Sequence, residues 1–470
     1  MDLIVIGAGP AGLTAAYEAT KHHLHASVFE KDTDVGGISK TVNYKNYLFD
    51  TGGHRFFTKY EEINGIWNEI LGDEFLKRPR LSRIYYNNKF FYYPLKPLNA
   101  LTNLGLITSL GVILSYLYSQ VHPYKNVSNF EQWVSNKFGK KLYNIFFKTY
   151  TEKVWGIPCT EIQADWAAQR IKGLSLSKAI LNSLGFLKGS QLTTLIDEFQ
   201  YPRKGPGQMW NKAKDIIEKN GGAVWLNSNV TQLNRRQNRI VSMIVQANGT
   251  NEEVPGDYFL STMPLRELVK AIHPVVPHHI LQAANSLRYR DFFTVGLIID
   301  KPDIFPDNWI YIHSPDIKAA RIQNYINWSP DMVPNPQTTS LGLEYFCFDT
   351  DDIWRMEDKE LIGLGIEEIE RLNFASQKQI LDGTVIRSPK TYPIYDEGYK
   401  ERLESIRGYL STLENLHTMG RNGLHRYNNQ DHSMLSALYT VRNILGGSYS
   451  VWDINIDEEY HEIIEEERES

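Results

Sequence analysis

Cysteine is nearly absent: two residues, Cys159 and Cys347, in a chain of 470. They can form one bridge but not a disulfide framework, so a reducing compartment is the simpler reading. Basic charge is not in excess either. Fifty Lys and Arg stand against 55 Asp and Glu, a net of −5, which points away from nucleic acid as the main partner. No basic leader or cleavage site precedes the first apolar run, Leu3 to Ile6, and the expected location is the cytoplasm. The 13 histidines show no metal-ligand spacing, and neither cysteine has an electropositive sequence neighbourhood. No metal centre or thiol nucleophile is therefore expected. Internal repeats and low-complexity linkers are missing too. The two or three domains that the length suggests, at ~150 residues each, should be interleaved rather than strung in series. What remains is 42% hydrophobic and 22% charged, a globular balance with enough apolar residues for a large core.

Leu3 to Ile6 reads as a buried strand, Ala11 to Thr20 as a helix behind it, and Ala26 to Phe29 as a parallel neighbour. This βαβ unit begins a doubly wound, Rossmann-like sheet, so the fold class is α/β. Between strand and helix lies Gly7-Ala8-Gly9-Pro10-Ala11-Gly12, of form G-x-G-x-x-G. Gly7 permits the tight turn, Gly9 lets the backbone approach a pyrophosphate, and Gly12 lets helix and sheet pack closely. The helix N-terminus turns unpaired N–H groups toward phosphates. Glu30 closes the second strand, where a carboxylate takes ribose hydroxyls. The combination predicts a bound dinucleotide.

Between Lys96 and Tyr124 no residue carries a formal charge, and the segment from about Pro94 is rich in leucine and isoleucine. Asn99, Thr102, Asn103, Thr108, Ser109 and Ser115 dilute it below what a membrane span of about 20 apolar residues requires. A buried helix or helix pair is expected, with a monotopic membrane contact as the alternative. Asn129 to Ile180 is helical in pattern and aromatic-rich. A Pro/Gly joint at Tyr201–Gly207 leads into a helix near Gln208 that Gly221-Gly222 ends. Strand-like runs follow at 223–226, 230–233 and 240–245, and a second sheet is expected from strand and turn alternation across 295–348. The expected domains are 1–94, 196–265 and 396–455 for a discontinuous dinucleotide-binding unit, 95–195 for a helical insertion, and 266–395 for a substrate-side sheet. The acidic tail, 456–470, is expected to be a solvated helix face or frayed end.

Gly36-Gly37, soon after Glu30, extends the pattern as FAD-binding proteins of the glutathione-reductase type do. The run from Leu3 to Gly37 resembles the flavin amine oxidase and protoporphyrinogen oxidase superfamily, as does Leu260-Ser261-Thr262-Met263-Pro264. Val230 falls where members contact adenine, though on its own it is equally an ordinary strand residue. Within that superfamily the chain resembles UDP-galactopyranose mutases. Asp50-Thr51-Gly52-Gly53-His54-Arg55-Phe56 is similar to their G-x-H-x-F loop beside the isoalloxazine. Phe146-Phe147-Lys148-Thr149-Tyr150-Thr151-Glu152-Lys153-Val154-Trp155-Gly156 is similar to the wall that receives nucleotide and sugar. Gly420-Arg421, with Tyr427 and Asn429 to Leu438, aligns with their flavin-binding turn and final helix. The implied fold is a Rossmann-like FAD-binding domain of the glutathione-reductase type, with a helical insertion and a second mixed or antiparallel sheet.

The resemblance implies FAD held by Gly7, Gly9, Gly12, Glu30, Gly36, Gly37, Gly53, His54, Val230, Gly420 and Arg421. It implies a nucleotide-sugar substrate against Phe146, Tyr150, Trp155, Arg321, Tyr392 and Tyr427, with His54 and Arg321 as catalytic residues and no metal. A guanidinium at Arg321 suits a diphosphate through its fixed fork of donors; read alone, it is equally a surface arginine. Aromatic-rich helices are most often core, and His54 alone would be a satisfied loop histidine. A helix ending between Tyr150 and Trp155 would let both rings converge on one pocket. The chain departs from the family pattern at Phe199, His425 and Asn428, which replace tyrosines of the phosphate site, and at Asn429, which replaces an aspartate. The mobile-loop arginine has only Arg170 and Lys172 nearby. The implied function is a nucleotide-sugar mutase in which reduced flavin N5 is the nucleophile, with NAD(P)H as external reductant. The alternative is an FAD-dependent oxidoreductase of the amine oxidase, protoporphyrinogen oxidase or desaturase type, passing hydride from substrate to flavin.

Overall fold

The computed structural model describes residues 1–93, 95–164 and 198–455. Arg170, Lys172 and the tail 456–470 lie outside the described residues. Five parallel strands run side by side in the order Leu416–Thr418, Tyr258–Ser261, Asp2–Ile6, His25–Phe29 and Ala223–Trp225. Segments from the start, middle and end of the chain are thus knitted into one Rossmann-like sheet. Period-two alternation divides the central strand between two cores. Leu3 and Val5 face a cluster with the helices Pro10–Lys21, Gly207–Lys219 and Gln430–Ile444. Ile4 and Ile6 face a second cluster with Leu233, Met243, Leu268 and Ile406.

The helix Pro10–Lys21 is buried from Ala11 to Thr20. It can be so enclosed because Ala11, Gly12, Ala15, Ala16 and Ala19 leave room for neighbours on every side. Pro10 supplies the fixed φ of a first helical position, where the missing N–H costs nothing. A four-stranded sheet, Thr250–Pro255, Arg239–Ala247, Ser228–Arg236 and Ile272–His273, flanks the parallel sheet.

The second large sheet has seven strands in the order Ile380–Pro393, Tyr289–Ile299, Thr339–Cys347, Arg321–Asn324, Trp309–Ile312, Ser82–Tyr86 and Lys89–Tyr92. It is antiparallel except where Trp309–Ile312 pairs parallel with Ser82–Tyr86. The last two strands come from within 1–94, so this sheet reaches beyond the expected 266–395. Local pattern marks that hairpin, because Asn87 and Asn88 both take positive φ in its two-residue turn. Nothing local says which sheet it joins. Its edge is set by pairing with a strand more than two hundred residues away.

Two corrections concern the helical insertion. The stretch after Lys96 does form a helix pair, Pro97–Leu104 and Leu106–Val121, but the second helix is not buried. It turns Leu106, Ile107, Leu110, Leu114, Leu117, Tyr118 and Val121 outward and buries Ser109, Val112 and Ser119. Small side chains let it approach the Phe130–Phe138 region closely, which leaves the large ones outside. Nor does a helix end between Tyr150 and Trp155. A π-helical turn, Tyr143–Lys148, runs into an α-helix, Thr149–Trp155, that spans both residues and stops at Gly156 in the left-handed region. Arg290 closes that helix, its Nε donating to the Val154 carbonyl at 3.1 Å and its Nη2 to Lys153 at 3.3 Å. A Cβ at Gly156 would lie 2.3 Å from the Arg290 guanidinium, so a larger residue there would displace that arginine. Cys159 and Cys347 are separate buried thiols.

Candidate active site

One cavity of about 850 Å³ runs from the glycine turn of the parallel sheet to the face of the seven-stranded sheet. At its first end are Gly7, Gly9, Glu30, Gly37, Asn229 and Val230. A Cβ on Gly12 would sit 1.8 Å from the Gly7 carbonyl oxygen, and one on Gly7 would sit 2.1 Å from Thr262 Oγ1. Gly7 also has φ +98, so both positions require glycine. The third partner of this turn is Gly37, whose Cβ would fall 3.2 Å from the Gly9 Cα. Gly36 donates from its N–H to Ala8 at 2.8 Å and tacks the two glycine segments together. Glu30 accepts from the Ala8 N–H at 2.7 Å and the Asp32 N–H at 3.0 Å. One lone pair on each oxygen remains for a ligand hydroxyl. The chemistry and space of this end fit the adenosine diphosphate half of a dinucleotide.

At the other end are Gly52, Gly53, His54, Arg321, Tyr392, Gly420, Arg421 and Tyr427. His54 is half-buried, and its Nε2, shielded from solvent, has no hydrogen-bond partner among the described residues. Burial, then the charges of Arg421 and Arg321, push its pKa down to about 3, so it is neutral at physiological pH. Arg321 lies over the Gly52-Gly53 turn, where a Cβ on Gly53 would meet its Nη1 at 3.1 Å. A fully buried carboxylate balances its charge: Glu344 accepts from Arg321 Nε at 2.9 Å and Nη2 at 2.6 Å, and from Gln323 at 2.5 Å. Arg421 is held instead by neutral groups, donating to the Asn428 carbonyl at 2.8 Å and the Thr391 carbonyl at 3.3 Å. Its guanidinium lies 4.6 Å from the Tyr427 ring centroid and 5.5 Å from that of Tyr392. Gly420 gives its N–H to Ser436 Oγ at 2.8 Å and approaches Ala11 so closely that a Cβ would clash at 2.9 Å. An orphaned imidazole nitrogen between two guanidinium groups, beside a turn without side chains, fits a flat, electron-rich ring.

The aromatic residues fall into two layers. Tyr392 and Tyr427, stacked at 5.4 Å, line the cavity with Phe292, Trp309, Tyr311 and Trp328. Tyr150 stands behind Tyr311, at 5.4 Å edge to face, and stacks on His313 at 4.8 Å. Trp155 stands behind Tyr392 and Tyr427, at 6.1 and 6.2 Å. Phe146 is farther back. It packs at 5.0 Å on Phe91 in the core of the helical insertion and does not face the cavity. Of the positions that depart from the mutase pattern, Phe199 packs in the core 5.2 Å from Trp328, and His425 is buried 4.9 Å from Tyr289. Asn428 and Asn429 line the cavity.

Sequence reasoning missed Phe292, Trp309, Tyr311, Trp328 and Glu344. Their one local signal is the alternation Trp309-Ile310-Tyr311-Ile312, which puts two aromatic rings on one face of a strand.

Comparison with known proteins bears on the fold. A family described as an NAD(P)-binding Rossmann-like domain matches residues 5–70. A ferredoxin–NADP reductase of Acholeplasma laidlawii is 34% identical over 19% of the chain and 26% of its own length. A 4,4′-diapophytoene desaturase of Methylomonas sp is 36% identical over 11% of the chain and 10% of its own. The chain thus spans about a quarter or less of these relatives' lengths. Solved structures align far more completely. A crystal structure of reduced UDP-galactopyranose mutase covers 97% of both chains at a TM-score of 0.83 and 20% identity. A provisionally assigned protoporphyrinogen oxidase of Exiguobacterium sp. 255-15 gives 0.71 at 15% identity, covering 95% and 99%. A putrescine oxidase variant gives 0.64 at 14% identity, covering 95% and 99%. Over nearly its whole length the chain has the fold these proteins share.

Proposed function

We propose that the chain is an FAD-dependent enzyme of the UDP-galactopyranose mutase-like type, acting on a nucleotide sugar without net oxidation. The observation that carries this reading is the convergence of Arg321 and Arg421 on the neutral His54 at one end of the cavity. Glu344 pairs with Arg321, while Arg421 rests on neutral carbonyls, so the two guanidinium groups beside His54 suit an anionic ligand. FAD fits with its adenosine diphosphate at Gly7, Gly9, Gly12, Glu30, Gly36, Gly37 and Val230. Its ring system fits beside Gly53, His54, Gly420 and Arg421. When bound it supplies a nucleophilic nitrogen if reduced, or a hydride acceptor if oxidised.

The chain's own residues orient the partners. Glu344 holds the Arg321 fork in one posture, so that a diphosphate meets a preset pair of donors. Tyr392 and Tyr427 give a sugar or base a flat wall with little entropy to lose. The neutral His54 offers an acceptor or a donor at Nε2 and adds no charge of its own. Tyr150 and Trp155 back the wall rings and exclude water behind them. Phe146 belongs to the support of that wall.

The second reading, an oxidoreductase, is favoured by the same Glu344, which neutralises the cation nearest the turn, and by the aromatic lining of Phe292, Trp309, Tyr311 and Trp328. The test is anaerobic incubation of the reduced holoprotein with a panel of nucleotide sugars. A product of unchanged mass and altered retention, formed without net electron transfer, supports the mutase. Turnover only with oxidised cofactor, coupled to reduction of an electron acceptor, overturns it in favour of the oxidoreductase. NAD(P)H serves as the trial reductant, and the cytoplasm is the proposed location.

A further inference from the structure

The outward face of the helix Leu106–Val121 has no role in the cavity, and its pattern is inverted. Eight of its residues are exposed: Leu106, Ile107, Leu110, Leu114, Leu117, Tyr118, Gln120 and Val121. Seven are large and apolar, with Ile107 at 88% exposure and Val121 at 73%. The recurrence 107, 110, 114, 117/118, 121 keeps them on one stripe. A contiguous apolar stripe of this length on a soluble surface marks an interaction face.

Charge says what kind of face. From Phe75 to Phe130 there is no Asp or Glu, while Lys77, Arg78, Arg80, Arg83, Lys89, Lys96 and Lys125 are present, in a chain whose net charge is −5. Four lysines attend the helix pair itself. Lys89 donates to the Asn103 carbonyl at 2.6 Å, and Lys96 lies 4.8 Å from the ring of Tyr92 just before the first helix. Lys125 follows the second helix, and Lys141 lies so close to Gly111 that a Cβ there would meet its Nζ at 2.1 Å. The next acidic residue along the chain is Glu131, which Lys140 engages. Tyr92, Tyr118 and Tyr124 are exposed at the margins, the amphipathic rings that suit a headgroup layer.

At 16 residues the helix is ~24 Å long, short of the ~30 Å hydrocarbon thickness. Among the described residues no helix is long and apolar enough to cross a membrane. An apolar stripe with a lysine border and no acid suits a helix lying in the plane of a bilayer interface. We propose that Leu106–Val121 docks the protein on the surface of a membrane rich in anionic lipid. The apolar stripe enters the acyl boundary, and Lys89, Lys96, Lys125 and Lys141 meet the headgroups. This inference is independent of the reaction proposed above.

The test is flotation of the full-length holoprotein with vesicles of phosphatidylglycerol and phosphatidylcholine, compared with phosphatidylcholine alone. The wild type is expected to float with the anionic vesicles and to be released by high salt. Ile107→Glu/Leu110→Glu changes only exposed positions and should lower partitioning at least tenfold, with Tm and bound cofactor unchanged. Lys96→Gln/Lys125→Gln should lower it several-fold and flatten the salt dependence. The proposal falls if the wild type floats with neither vesicle, or if the double glutamate variant floats as well as wild type. It also falls if light scattering finds a wild-type dimer that this variant splits, because the face would then be covered by a second copy.

Discussion

Replacing Glu344 by glutamine removes the one carboxylate that balances Arg321 and leaves the rest of the packing in place. Glu344 is 0% exposed, and it takes both the Nε and Nη2 donors of Arg321 as well as the Gln323 amide. Breaking a buried pair from one side costs about 3–5 kcal/mol, because the remaining charge stays in a poorly solvated site. A glutamine carbonyl still accepts one of these donors, so Glu344→Gln should cost about 3 kcal/mol and lower Tm by several degrees. The lost charge has a second consequence. Arg321 becomes an uncompensated cation beside the Gly52-Gly53 turn, and an anion that reaches it gains what Glu344 supplied. UDP should therefore bind the variant roughly tenfold more tightly, a gain of about 1.4 kcal/mol. It should also restore part of the lost Tm by mass action. Thermal melts with and without UDP, together with calorimetric titration, read both effects. An unchanged Tm would refute the energetic reasoning about the pair. A lower Tm with UDP binding no tighter than in the wild type would refute the charge argument at Arg321.

Gly12→Ala forces a Cβ to within 1.8 Å of the Gly7 carbonyl oxygen, so purified protein should carry little or no flavin absorbance. Normal flavin content in this variant would contradict the glycine-turn site. Asp50 is buried, and its pKa is raised from 3.8 to about 7 by burial, opposed by hydrogen bonds from Tyr201 and Thr41. Folding therefore favours its protonated form, and its contribution, present below 3.8, is lost as pH rises to about 7. Asp50→Asn should melt above wild type at alkaline pH by up to the order of 4 kcal/mol, with the gap closing toward acid pH. A gap that does not vary with pH would show that Asp50 does not titrate in that window. Phe146→Ala should cost about 3–5 kcal/mol of stability, as a core truncation does. It should spare ligand affinity at a temperature where the variant is folded. Tyr392→Phe should leave Tm nearly unchanged and alter KM or kcat. The opposite pattern in melts and kinetics would reverse their assignments to core and wall.

The glycine-turn end of the cavity was legible because its requirements are local. Gly7, Gly9, Gly12 and Glu30 occur within one βαβ unit, and a strand, a turn and a helix N-terminus declare themselves over thirty residues. Gly420-Arg421 carried a signal only through family resemblance, while Gly52-Gly53 before His54 also suggested close backbone approach to something flat. The substrate end resisted local reading in both directions. Phe146 resembled a wall residue and packs in the core of the helical insertion, against Phe91. Trp309, Tyr311 and Trp328 carry no motif and line the cavity.

The sequence by itself determined the Rossmann-like beginning, the α/β class, the glycine turn and the helix pair after Lys96. Each depends on periodicity or on glycine at a fixed spacing, and such properties survive without knowledge of neighbours. The tertiary structure alone decided that the hairpin 82–92 joins the second sheet and that Glu344 neutralises Arg321. It also decided that the helix Leu106–Val121 turns its leucines outward. These are outcomes of pairing and packing between segments far apart in the chain. A sequence pattern says that a face is apolar, and only the assembled neighbours determine which face is covered.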